Sequence, residues 1–244
     1  MTLFLDFDGV ICDSVLEAYV SSWIAWHRLV CGREPAAVPL QHRTLFYRYR
    51  PFIRNGEDFV LLQQTIEEGI AISTQSDFDD RLARTGAHRM QQYRSAIYSV
   101  REQLLRDDRH AWLRLNRIYP HVRSELEWLS QRDDCYILST KKAAYIAEIL
   151  IADGVDWPAR RVLSAEGRSK IDMMAEVLAE RSDPHAAFVE DQPDHFPGIG
   201  DDPGFRLDCF LAAWGYIQPH WLQRRDLTVI EEADFAPLVR KLLA

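Results

Sequence analysis

Residues 3–9 read Leu-Phe-Leu-Asp-Phe-Asp-Gly, an apolar run that ends on two acids one residue apart. An apolar run this short, bounded by polar residues, predicts a buried strand. Side chains alternate along a strand, so Asp6 and Asp8 point to the same side. Gly9 then lets the backbone turn sharply. A carboxylate pair at a strand's C-terminal end can hold a hard divalent cation. It can also divide the work of nucleophile and acid/base. The plainer reading is a strand end followed by a polar turn, where acids are common.

The rest of the chain decides which partners such a strand can find. Residues 15–117 read as almost wholly helical. Residues 15–30 are apolar and aromatic at helical spacing, with Gly32 as the stop. Residues 57–70 continue the pattern. Ser76 reads as the N-cap of a long helix running to about Leu105, because no proline interrupts it. Residues 33–56 hold three prolines and the cluster Arg43, Arg48, Arg50 and Arg54, and give no clear period. From Tyr119-Pro120 onward, apolar strand-like runs at 135–138, 161–163, 186–189 and 209–212 alternate with helical stretches at 143–152, 171–181 and 235–243. Strand–helix alternation predicts a parallel sheet with right-handed crossovers. The first strand therefore belongs to this distant set, and the helical segment is an insertion. The expected organisation is a core of residues 1–14 plus 118–244 and a helical domain of residues 15–117.

Composition narrows the function. A formal charge of −8 over 244 residues argues against a nucleic-acid surface, which needs clustered positive charge. No apolar run approaches the roughly 20 residues of a membrane span. The start of the chain lacks a basic segment followed by a cleavage site. The four cysteines, Cys12, Cys31, Cys135 and Cys209, are scattered and do not form a zinc pattern. The expectation is a cytoplasmic protein with free thiols, no nucleic-acid partner and no membrane partner.

In open parallel sheets, sites form at the C-terminal ends of strands, so each end can be inspected. The run at 135–138 closes on Ser139-Thr140-Lys141, where a hydroxyl can donate to a phosphoryl oxygen. Lys170 stands at the start of an apolar-periodic helix, where it can neutralise charge on a phosphoryl group and its nucleophile. The run at 186–189 closes on Glu190-Asp191, followed by Gln192-Pro193-Asp194. Adjacent acids there suit magnesium, which takes few carboxylates and keeps waters. His195 reads as a surface or helix-start histidine.

These residues together carry a resemblance. Asp6-Phe7-Asp8-Gly9-Val10 with Asp13-Ser14 resembles the first signature of the haloacid dehalogenase-like (HAD) superfamily, most of whose members are magnesium-dependent phosphatases and phosphomutases. Ser139, Lys170 and Glu190-Asp191 are similar to its second, third and fourth signatures, in that order. Ile118-Tyr119-Pro120 resembles the return into the core, with His121 where relatives carry glycine, and Ala213-Trp214-Gly215-Tyr216 resembles the loop after the fifth strand. The resemblance implies an α/β fold: a Rossmann-like parallel sheet with an inserted all-helical cap, as in the phosphoglycolate phosphatase and beta-phosphoglucomutase-like branch.

It also implies a chemistry, a magnesium-dependent phosphohydrolase acting on a small phosphorylated metabolite. Asp6 would be the nucleophile, forming an aspartyl-phosphate, and Asp8 the acid/base. The amides of Phe7 and Asp8, with Ser139, Thr140 and Lys170, would hold the phosphoryl group. Mg2+ would lie between Asp6, the Asp8 main-chain carbonyl, Asp191 and a second acid. Glu190 is preferred for that acid and Asp194 is the alternative, because the family's usual later acid falls at His195 or Phe196 here. The arginines at 43–54 are candidates for recognising the rest of the substrate, and the insert for closing over the site. A sugar phosphomutase is the nearest rival, but Ala18 stands where those mutases carry a histidine. A non-catalytic binding module on the same fold is the other rival.

Overall fold

The structure, a computed structural model, describes residues 1–39, 41–198 and 201–244. It divides into two compact units, Met1–Asp13 with Arg117–Ala244, and Ser14–Asn116. The first unit opens with β1 (Thr2–Leu5) and β2 (Cys12–Asp13). The second holds α1 (Val15–Cys31), α2 (Arg43–Tyr49), α3 (Asp58–Glu67), α4 (Gln75–Thr85), α5 (Ala87–Asp107) and α6 (Arg109–Arg114). The first unit then resumes with β3 (Arg117–Ile118), α7 (Pro120–Ser130), β4 (Cys135–Ser139), α8 (Ala143–Ala152) and β5 (Val162–Ser164). It ends with α9 (Lys170–Ala179), β6 (His185–Glu190), β7 (Arg206–Ala212), β8 (Thr228–Ile230) and α10 (Glu232–Leu242).

Six strands form one parallel sheet in the order β5-β4-β1-β6-β7-β8. The chain builds outward on one side of β1 through β4 and β5, returns to β6 on the other side, and builds outward again. That reversal falls beside β1, and in such sheets it opens a crevice at the strand ends. Leu3, Phe4 and Leu5 are fully buried, as a central parallel strand covered on both faces requires. Phe4, Leu138, Met174, Phe188 and Leu211 belong to one core cluster. Register carries the strand ends to a common level: Leu5 pairs with Ile137 of β4 and Val189 of β6. Asp6 therefore follows β1 at the level where Glu190 closes β6. The short β2 and β3 pair antiparallel, so the points where the chain leaves and rejoins this unit lie side by side.

In the second unit α1 packs on α3 and α5. Its buried residues include Val15, Ala18, Tyr19, Ser22 and Ala25, at three- and four-residue spacing, and Gly32 caps it in the left-handed conformation. Glu17 is also fully buried. The Arg101 guanidinium offsets its charge through bonds of 3.0 and 2.9 Å, and Ser21 Oγ adds one of 2.6 Å.

Three readings of the sequence change here. The helix expected from Ser76 to Leu105 is two helices, because Gly86 adopts φ 76° and ψ 154° and breaks the hydrogen-bond ladder. The cap of α4 is Thr74 rather than Ser76: Thr74 accepts from the Asp77 N–H, and Asp77 reaches back to the Thr74 N–H. β8 and α7 add to the elements expected from the sequence, β8 being a three-residue strand too short to show a period. Among the described residues, no helix is long and apolar enough to cross a membrane.

Candidate active site

β1 delivers Asp6 to the end of the central strand, with its backbone N–H bonded to the Val189 carbonyl at 3.0 Å. The chain then turns: Ile11 and Cys12 both donate backbone N–H groups to the Phe7 carbonyl, at 2.9 and 2.8 Å. Gly9 makes the turn at φ 92°. A Cβ on Gly9 would come within 2.0 Å of Asp191 Oδ2, so this glycine is required by space as well as by conformation. Gly215, in the loop after β7, is required by space alone: its Cβ would fall 2.3 Å from Asp191 Cβ and 2.6 Å from the Gly9 carbonyl oxygen. The next residue, Tyr216, donates its backbone N–H to Asp191 Oδ2 at 2.7 Å and its hydroxyl to Asp13 at 3.1 Å. Asp191 is thus held by two loops that are far apart in sequence.

Glu190 is fully buried, and protein donors meet both of its oxygens. Oε1 accepts the N–H groups of Asp191 and Gln192, each at 3.0 Å. Oε2 takes Lys170 Nζ at 2.6 Å and His195 Nδ1 at 2.9 Å. His195, read from the sequence as a surface or helix-start histidine, therefore belongs to the site and lies in the short helical turn Pro193–His195. No spacing pattern marks it, since the contact depends on how Pro193–His195 curls after β6. Lys170 is the first residue of α9, whose cap Ser169 accepts from the Asp172 N–H. Its ammonium also lies 2.9 Å from Asp6 Oδ1. A second lysine serves the second acid: Lys141 Nζ donates to Asp8 Oδ1 at 3.0 Å and to Oδ2 at 3.2 Å.

The charges explain one another. Burial, and then the negative charge of Glu190, push the Asp6 carboxyl up to about 6, with Lys170 and His195 opposing. Burial works against the charge of Glu190, but Lys170 and His195 outweigh it and hold the carboxyl well below the usual range. Burial likewise works against charge on Lys170, and the Asp6 and Glu190 carboxylates more than compensate, raising it.

Asp6, Glu190 and Asp191 place one carboxylate oxygen each within 4.8 Å of one another, all buried. Crowded buried carboxylates of one sign, with Asp6 driven toward its neutral form, fit a hard divalent cation as counter-charge. The Asp8 carboxylate lies outside this cluster. So does Asp194, which is exposed. Ser139 is buried at the end of β4, and Thr140 is half-buried beside it. Phe7 has no exposed surface, so any contact it makes with a phosphoryl group is through its backbone.

Solved structures of similar architecture cover nearly the whole chain. One is a predicted phosphoglycolate phosphatase from Haemophilus somnus, with a TM-score of 0.60 and 13% identity over 98% of this chain and 97% of that one. Another is a haloacid dehalogenase-like family hydrolase from Streptococcus pneumoniae, with a TM-score of 0.56 and 15% identity over 98% of both chains. A hydrolase from Pseudomonas syringae matches with a TM-score of 0.54 and 15% identity over 100% and 99%. The chain has the haloacid dehalogenase-like fold. No family model and no curated protein matches it. Within this HAD-like fold, Asp6, Asp8, Ser139, Lys170, Glu190 and Asp191 all belong to the first unit.

The four arginines belong to the second unit. Arg43 and Arg48 are exposed, Arg43 lying over the Tyr47 ring at 5.0 Å. Arg50 is buried against Phe59, 5.1 Å from its ring centre, and donates to the Ile53 carbonyl at 3.2 Å. Arg54 pairs with Asp79 at 2.7 Å.

Proposed function

We propose that this chain is a magnesium-dependent phosphohydrolase that acts on a small phosphorylated metabolite through an aspartyl-phosphate on Asp6. The observation that carries this reading is the placement of Asp6 at the end of the central strand, 2.9 Å from the Lys170 ammonium, with Asp8 two residues on. An oxygen of Asp6 attacks phosphorus, and the bond to the leaving oxygen breaks. Asp8 gives its proton to that oxygen, releasing an alcohol. Water then gives a proton back to Asp8 and attacks the phosphorus, which frees inorganic phosphate and restores Asp6. Lys170 and the Ser139 hydroxyl offset the charge on the phosphoryl oxygens.

Asp6 and Asp191 would hold magnesium, with the Asp8 main-chain carbonyl. Glu190 adds its charge while its oxygens hold Lys170, His195 and two backbone N–H groups. Bound there, the cation would offset the negative charge of the phosphoryl group. The names of structural neighbours, phosphoglycolate phosphatases among them, support a phosphate monoester of a small organic acid as substrate.

The test is a screen of phosphorylated metabolites for phosphate release, with and without magnesium, on the wild-type chain and on Asp6→Asn. The expected result is magnesium-dependent release that Asp6→Asn abolishes while the protein stays folded. Release that needs a bisphosphate activator would instead indicate a phosphomutase. Full turnover by folded Asp6→Asn would remove the covalent route.

A further inference from the structure

Two aspartates of the site, Asp6 and Asp8, each meet a buried lysine, Lys170 and Lys141 respectively. Lys170 serves Asp6, as the proposed chemistry requires. Lys141 has no part in that chemistry, yet its side chain is 3% exposed and its ammonium reaches both oxygens of Asp8, whose side chain is 19% exposed. The base of this lysine is clamped by two strand ends. Its carbonyl accepts from Ser164 Oγ at 3.0 Å, and its N–H donates to Ser139 Oγ at 3.4 Å. Ser139 and Ser164 are register partners of β4 and β5. The lysine therefore leaves the C-terminal ends of two paired strands and ends on a carboxylate carried by a turn.

We propose that Lys141 is a positioning residue for proton transfer: it holds the Asp8 carboxyl group in the orientation from which a proton passes to the leaving oxygen. The inference rests on the phosphohydrolase reading above. An acid/base is useful only within hydrogen-bond reach of the proton it moves. A partly exposed side chain on a turn has rotamers to lose, and a fork of two bonds from a buried ammonium removes them. The consequence is specific. Removing Lys141 lowers kcat and leaves KM, because the contact is to the acid and not to the substrate. The loss is large for an alkyl phosphate, whose leaving oxygen needs the proton, and small for a nitrophenyl phosphate, whose leaving oxygen does not.

The test compares the full-length wild type with Lys141→Met, Lys141→Gln and Lys141→Arg, on p-nitrophenyl phosphate and on the best alkyl phosphate from the metabolite screen. With Lys141→Met, kcat for the alkyl ester is expected to fall about 10- to 100-fold with KM within about twofold, and kcat for the nitrophenyl ester within about threefold. Lys141→Arg recovers most of the loss. Should Lys141→Met fold poorly, the double variant Asp8→Asn/Lys141→Met removes both paired charges together. Its kcat should equal that of Asp8→Asn alone, because the lysine acts only through Asp8. A rise in KM at constant kcat, equal losses on both esters, or a further loss in the double variant overturns the proposal. Wild-type protein that releases phosphate from no ester overturns the phosphohydrolase reading itself. An active wild type with unaltered Lys141 variants overturns only the positioning role.

Discussion

Asp191 is enclosed by Gly9 and Gly215, and this contact sets what single residues can change. A methyl group on Gly215 would meet Asp191 Cβ at 2.3 Å and the Gly9 carbonyl at 2.6 Å, and the carbonyl, being backbone, has little room to yield. Gly215→Ala is therefore expected to displace Asp191 and weaken magnesium binding at least about 10-fold, the scale on which shifts around a ligand act. Calorimetric titration with magnesium measures it, and unchanged affinity would show that the loop gives way. The same titration separates Asp191 from Asp194. Asp191 is buried in the carboxylate cluster, whereas Asp194 is exposed beyond Pro193. Asp191→Ala should abolish measurable binding, and Asp194→Ala should leave it within about twofold, since an exposed carboxylate is screened by solvent. At this scale Asp6, Lys170, Glu190 and Asp191 were legible, because each stands at the end of an apolar run or the start of a helix. His195 and Gly215 were not legible as parts of the site, because their reasons for being there are atoms of other loops.

At the scale of elements, α3 shows how a helix start stores a pH dependence. Asp58 is its first residue, and its Oδ2 accepts the N–H groups of Arg54 and Asn55 at 3.1 and 2.8 Å, closing the loop ahead of the helix. Burial pushes its carboxyl from the ordinary 3.8 up to about 6, against the pull of those two N–H groups. A raised folded value favours the folded state while the group is protonated in both states, and that contribution is lost as pH rises through about 6. Asparagine keeps an acceptor for both N–H groups and carries no charge. Asp58→Asn should therefore gain stability relative to wild type as pH rises from about 4 to about 7, by up to about 3 kcal/mol. Urea denaturation of both proteins across that range measures the difference, and a pH-independent difference would show that Asp58 is ionised in the fold at little cost. The elements also show where local reading stops. No proline interrupts residues 75–107, but Gly86 at positive φ ends one helix and begins another.

At the scale of the molecule, the six-stranded sheet depends on β1, four residues whose partners lie more than a hundred positions away. Phe4 is fully buried in β1 and stacks on Tyr136 with ring centres 5.5 Å apart. Phe4→Ala is expected to cost about 3–5 kcal/mol, the range for emptying a buried aromatic site. Urea denaturation followed by tryptophan fluorescence measures it, and a loss below about 1 kcal/mol would mean that β1 contributes little to the first unit. The sequence alone determined that a strand ends on Asp6 and Asp8, that strands and helices alternate after Tyr119, and that a parallel sheet follows, because hydrophobic period and strand-end polarity are local properties. Only the tertiary structure decided the strand order, the pairing of Lys141 with Asp8 and of His195 with Glu190, and the close approach of Gly9 and Gly215 to Asp191. Those contacts join segments tens to hundreds of residues apart, or depend on how a loop curls. They arise when the sheet assembles, so no local pattern in the chain records them.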